Sequence, residues 1–144
     1  MVYINLLIKM NSYKEVFLLN DWKSIILGII IALIISLVLA KIVIGGLIAG
    51  IVGFLIAGLI VGYLTNSDTE NVAINGAILG FIGGIIFSLI GTVMDSFIYN
   101  NGANAALFSM FIAGGFLGGI ITGIIYGVIS AIGGVIGVYL KSKT

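Results

Sequence analysis

Residues 24–64 read SIILGIIIALIISLVLAKIVIGGLIAGIVGFLIAGLIVGYL, and Lys41 is the only charge among them. Drawn as one α-helix the run would be about 62 Å long, twice the ~30 Å hydrocarbon core of a bilayer. It therefore has to fold back as two antiparallel spans. The turn belongs near Lys41–Gly46, where the charge and a Gly-Gly pair coincide. This gives a first span over Ser24–Ala40 and a second over Ile44–Leu64, with Tyr63 at the interface.

Composition makes lipid the solvent for most of the chain. Of 144 residues 61% are hydrophobic and only 8% charged, and the mean hydropathy is +1.35. A soluble domain carries about a quarter charged residues. Six lysines and five acidic residues could not cover so apolar a fold in water. The chain also lacks His, Cys, Arg and Pro. Zinc, copper, haem and iron–sulfur sites lose their usual ligands, so no metal and no cofactor is expected. Disulfides and thiol chemistry are excluded, and so is bidentate clamping of phosphate by arginine. A net charge of +1 gives no field for nucleic acid.

Outward from the opening run, residues 1–23 mix charges with apolar residues and hold neither a span nor a signal-peptide core. They read as an interfacial or flexible segment, with Met10 an alternative start and Trp22-Lys23 an interface anchor. The polar stretch TNSDTEN, residues 65–71, is the clearest loop. A third span is expected over Val72–Met94, followed by a loop from Asp95 to Asn104 rich in asparagine. The last apolar run, Ala105–Leu140, would reach ~54 Å as one helix. It must protrude, kink at Gly114-Gly115 or Gly133-Gly134, or contain a re-entrant piece; one long helix, straight or kinked, is the favoured reading. Residues 141–144 form a basic tail.

The expected fold is thus an all-α membrane protein, a four-transmembrane-helix bundle. An even span count puts Lys9, Lys14, Lys23, Lys141 and Lys143 on one side against Lys41 on the other. By the positive-inside rule both termini then face the cytoplasm. The echo between GLIVGYL (58–64) and GVIGVYL (134–140) is read as chance, since glycine and aliphatic residues dominate both.

Small residues recur every fourth position: Gly115, Gly119, Gly123, Gly127 and Ala131 in the last run, Gly76, Gly80 and Gly84 in the third, Gly46 and Gly50 in the second. In lipid such rows let helix backbones approach closely, the small-xxx-small device. Because a step of four residues overshoots a turn by ~40°, one partner is expected to follow two or three glycines and a second neighbour the remainder. Packing inside one bundle is the first reading, oligomerisation through a stripe the second. Ser36, Asn75, Ser88, Thr92, Ser109, Thr122, Tyr126 and Ser130 are the intramembrane polar residues, expected to bond their own helix or a neighbour, with Asn75 reaching span two. Lys41 and Asp95 should share the non-cytoplasmic side, where they could pair, with solvated loop charges the first reading. No catalytic residue can be nominated: no serine has a base beside it, and Asp68 and Glu70 lie on a short loop.

The first span lacks the buried glutamate of small multidrug exporters, and a chain without Arg cannot carry the arginine motif of small fluoride channels. From Asn20 to Lys141, however, NDWKSIILG (20–28), GGLIAGIVGFLIAGLIVGYL (45–64), NGAILGFIGGI (75–85) and IGGVIGVYL (132–140) resemble uncharacterised glycine-rich integral membrane proteins of archaea, grouped as a domain of unknown function. The resemblance implies a small integral membrane protein and carries over no activity or site residues. The function expected is that of a non-enzymatic protein of the cell membrane, acting through helix packing alone, as a homo-oligomer or with a membrane-protein partner. The alternative is a small channel, transporter subunit or holin-like permeabiliser.

Overall fold

The computed structural model describes Ile4 and residues 22–42, 46–65, 68–100 and 105–143. Four α-helices make up nearly all of this: α1 Trp22–Ile42, α2 Gly46–Leu64, α3 Thr69–Asn100 and α4 Ala105–Lys141. All four are long and apolar enough to cross a membrane, and the described residues contain no strand. The chain is a multi-pass, all-α membrane protein. The interfacial segment, the Met10 start and the asparagine-rich turn at 101–104 lie outside the described residues, as do residues 43–45 of the first turn.

Both ends of the third helix differ from the sequence expectation. The third helix begins at Thr69 rather than Val72, because the Val72 amide already donates to the Asp68 carbonyl at 3.0 Å. Asp68 stands at the N-cap position and Glu70 in the first turn, where an acid suits the helix dipole. At its other end the helix runs on through Asp95, which is helical rather than in a loop. Between Gly91 and Gly102 there is no helix breaker. The Ser96 hydroxyl donates back to the Thr92 carbonyl at 2.7 Å, which adds a bond within the turn that Asp95 occupies. The last run is one uninterrupted helix through both Gly-Gly pairs. In hydrocarbon, breaking the backbone ladder costs more than the flexibility of glycine.

The helices neighbour one another in the order α1, α2, α4, α3, and a weaker α1–α3 contact closes the ring. On α1, Ile25, Gly28, Ala32 and Ser36 are buried, while Ile26, Ile30, Ile34 and Val38 are exposed on the opposite face. An apolar outside of this kind suits lipid. Helix α2 is enclosed on two flanks, burying Ala49, Gly50, Gly53, Phe54, Ala57, Gly58, Val61 and Gly62. The core joins Ile25, Ala32, Phe54, Ala57, Val61, Leu79 and Tyr126 from all four helices.

The α3–α4 pair makes the most extensive contact in the bundle. A Cβ at Gly115 would meet the Thr92 side chain, at Gly119 the Ile85 Cα (3.2 Å), at Gly123 the Phe81 carbonyl oxygen (2.7 Å) and at Gly127 the Ala77 carbonyl oxygen (3.1 Å). From the other side, Gly76 faces the Ala131 Cα (2.9 Å), Gly80 faces the Gly127 Cα (2.6 Å) and Gly84 the Gly123 Cα (2.7 Å). All five positions of the α4 row therefore meet α3, instead of dividing between two neighbours. The partner row on α3 also steps by about four residues in the antiparallel sense, so both surfaces drift together. A seam with a period above 3.6 requires right-handed winding. Helix α2 is met by other residues of α4: Gly133 lies over Leu59 and Gly137 over Tyr63. Gly46, also expected at a contact, has no atom within 4 Å of its would-be Cβ.

Candidate functional site

The four helices are unequal, and the site follows from that. Helices α1 and α2 have 21 and 19 residues, about 31 and 28 Å, which match one bilayer core. Helices α3 and α4 have 32 and 37 residues, about 48 and 55 Å. Gly62 is level with Gly134, and Gly50 with Tyr126. Past Tyr126, α2 runs on for only ~6 Å, to Gly46, whereas α4 runs on for ~32 Å, to Ala105. The surplus of the long hairpin thus stands mostly on the side where α1 ends.

A cavity of about 480 Å³ lies at this step, lined by the end of α1, the start of α2 and the facing parts of α3 and α4. Its charged groups are Lys41, in the last turn of α1, and Asp95 on α3. Both are exposed. Sequence reasoning placed them on one side as loop charges; they are instead helical and line one cavity. Among the described residues neither takes part in an ion pair.

Phe87 and Tyr126 give the cavity an aromatic floor, with Phe54 beneath it. Tyr126 is stacked on Phe54, with centroids 4.8 Å apart and planes at 14°. Phe87 meets both rings edge-on, at 6.4 Å from Phe54 and 6.2 Å from Tyr126. Three helices supply the three rings, and a Cβ on Gly50 would fall directly on the Tyr126 hydroxyl. That hydroxyl donates to the Leu47 carbonyl at 3.4 Å.

The wall hydroxyls are also spent. Ser88 donates to the Gly115 carbonyl across the helix pair at 3.0 Å, and Thr92 to the Ser88 carbonyl at 2.9 Å. Thr122 donates to the Gly118 carbonyl at 3.0 Å. Below the floor, and among the described residues, three buried polar atoms have no hydrogen-bond partner: Ser36 Oγ, Ser130 Oγ and Asn75 Oδ1. The expected bond from Asn75 to span two is therefore not made by its carbonyl oxygen, and Ser36 and Ser130 bond neither their own helix nor a neighbour through Oγ.

The glycines around the mouth differ from those of the seam. Among the described residues, nothing lies within 4 Å of a Cβ built on Gly46, Gly91 or Gly114, and one on Gly118 would meet only the Ser88 Oγ at 3.9 Å. Gly46 and Gly91 line the cavity, and Gly114 is exposed on α4 above it. At the opposite end of the bundle, Lys141 Nζ donates to the Thr65 carbonyl at 3.2 Å, tying α4 to the end of α2.

The cavity was not visible as such in the sequence. Its signal was the disparity between two apolar runs sized for one bilayer and two that exceed it.

Residues 22–140 match the family model described as a family of unknown function, DUF5518. The chain belongs to this family. The DUF5518 match opens on the first residue of α1 and ends one residue before the end of α4, so it takes in all four helices, the seam and every residue of the vestibule. No curated protein and no solved structure matches the chain.

Proposed function

We propose that this chain is a non-enzymatic multi-pass protein of the cell membrane, working through helix packing as a subunit or partner of a membrane complex. The observation that carries this reading is the pair Gly114 and Gly118 on the projecting part of α4: among the described residues nothing lies within 4 Å of a Cβ on Gly114, and only the Ser88 Oγ, at 3.9 Å, meets one on Gly118. Two glycines four apart, Gly114 exposed and Gly118 half-buried, suit the close approach of a second helix in lipid. Exposed Met110 and Leu117 flank the row. The series Gly115–Ala131 is read as a glycine zipper between α3 and α4 of one chain, with the partner surface elsewhere. The absence of His, Cys and Arg from the sequence supports a role without catalysis. The lysine distribution supports cytoplasmic termini, and the glycine-rich segments quoted above support an archaeal source.

The test is native mass spectrometry of the protein drawn from its own membranes in mild detergent. The expected mass exceeds one 15.0 kDa chain, and it falls to that of the single chain when Gly118→Ile blocks the approach. A wild-type protein that runs as a lone chain contradicts the proposal.

A second reading, a small channel, transporter subunit or holin-like permeabiliser, draws support from the vestibule, which holds two charges and reaches inward to Tyr126. Release of a small dye from vesicles separates the two: a permeabiliser leaks, a packing subunit does not.

A further inference from the structure

We propose that the vestibule is a binding site for a zwitterionic amphiphile, a molecule with an ammonium group and an anionic oxygen group close together on an apolar body. This does not depend on the partner-helix reading, because it concerns the cavity and not the glycine pair on α4.

Every hydroxyl in the cavity already donates: Tyr126 to Leu47, Ser88 to Gly115, Thr92 to Ser88 and Thr122 to Gly118. The two charges are the lining groups that have no protein partner among the described residues. Lys41 is a donor only and Asp95, ionised, an acceptor only. They line one cavity without forming an ion pair. A lone anion would answer Lys41 and leave Asp95 without a counter-charge; a lone cation would do the reverse. A ligand bearing both signs answers both. Below the charges the surfaces are Leu37, Leu47, Phe87 and the Tyr126 ring, which offer a body contact area but no free donor. At about 480 Å³ the space is of the size that holds a small molecule or one arm of a lipid, within the usual range of roughly 300–1,000 Å³.

The same chemistry has two sources: a lipid with an aminoethyl phosphodiester head, entering from the bilayer, or an apolar amino acid, entering from water. The experiment uses the full chain in detergent. Dioleoylphosphatidylethanolamine, dioleoylphosphatidylglycerol and dioleoylglycerol are offered in competition and retained lipid is read by native mass spectrometry. Radiolabelled phenylalanine is offered separately and read by scintillation proximity. One of the two zwitterions should bind at least about tenfold tighter than the anionic and neutral lipids, and Lys41→Gln and Asp95→Asn should each weaken it by about tenfold or more. Retention of the ethanolamine lipid assigns the bilayer source; binding of phenylalanine alone assigns the aqueous one. Both side chains are exposed, so both variants should keep wild-type helicity, and the exchange Lys41→Asp with Asp95→Lys should restore binding whether or not the single variants are weakened in other respects. Equal binding of all probes, or binding unchanged in both single variants, overturns the proposal.

Discussion

Tyr126 and Phe54 lie ring on ring, with centroids 4.8 Å apart and planes 14° from parallel, and this stack divides the bundle into a closed core and an open vestibule. Gly50 makes the stack fit, since the Tyr126 hydroxyl occupies the place a Cβ on Gly50 would take. Both rings belong to the buried core, so the stack is a structural element as well as a floor.

Gly50→Ala should therefore push the Tyr126 ring out of its place. A loss of about 1–3 kcal/mol is expected from overpacking, read by unfolding in mixed micelles of increasing SDS fraction. Tyr126→Phe keeps the stack and loses only the 3.4 Å bond to Leu47, so it should cost nearer ~0.6 kcal/mol, the average for an interhelical bond in a membrane. Equal costs would show that the ring is not confined by α2.

The seam glycines and the mouth glycines should respond oppositely. At Gly123 a Cβ would stand 2.7 Å from the Phe81 carbonyl oxygen, a backbone atom that cannot step aside without moving α3. Gly123→Ala should destabilise by about 1–3 kcal/mol, and Gly119→Ile and Gly123→Ile should disrupt the α3–α4 pair. At Gly114 a Cβ meets nothing, so Gly114→Ala should be neutral or gain up to ~1 kcal/mol from helix propensity. A loss at Gly114 equal to that at Gly123 would contradict this division.

The four helices were legible because hydrophobic length against bilayer thickness is a strong constraint, and Lys41 with its Gly-Gly neighbour marked the first turn. The ends of α3 were not. Asp68, Glu70 and Asp95 read as loop residues by polarity, yet an N-cap position, a favourable dipole and hydroxyl back-bonding keep them in or against helix. The glycine periodicity was legible, but not its partner: Gly115, Gly119, Gly123 and Gly127 all meet α3 because α3 carries a matching row, a pairwise property that no single run displays. The floor was illegible for the same reason, as Phe54, Phe87 and Tyr126 come from three separate helices. Tyr126 stood out only as an intramembrane hydroxyl.

Ser36 and Ser130 bury an Oγ without a partner, and such a group stabilises nothing. Ser36→Ala and Ser130→Ala should each leave stability unchanged or raise it slightly, since an unmatched buried hydroxyl carries a desolvation cost of about 1–3 kcal/mol. A loss above about 1 kcal/mol in the same SDS titration would mean that these hydroxyls have partners in the membrane.

The proposed orientation rests on the lysine distribution. A reporter active only in the cytoplasm should work when fused after Thr144 and fail when inserted at residues 43–45, between α1 and α2. Activity at both places, or only at the inserted one, would contradict cytoplasmic termini.

The central claim is that the close α3–α4 seam lies within one chain. The sequence has no cysteine, so a designed pair reports without background. A Cβ built on Gly119 stands 3.4 Å from the Ser88 Cβ, near the lower end of the ~3.5–4.5 Å that a disulfide spans. The double variant Ser88→Cys with Gly119→Cys should oxidise in the membrane to a single chain lighter by its two thiol hydrogens, with no free thiol. Disulfide-linked dimers, or thiols that stay free, would show that the seam is not formed inside the chain.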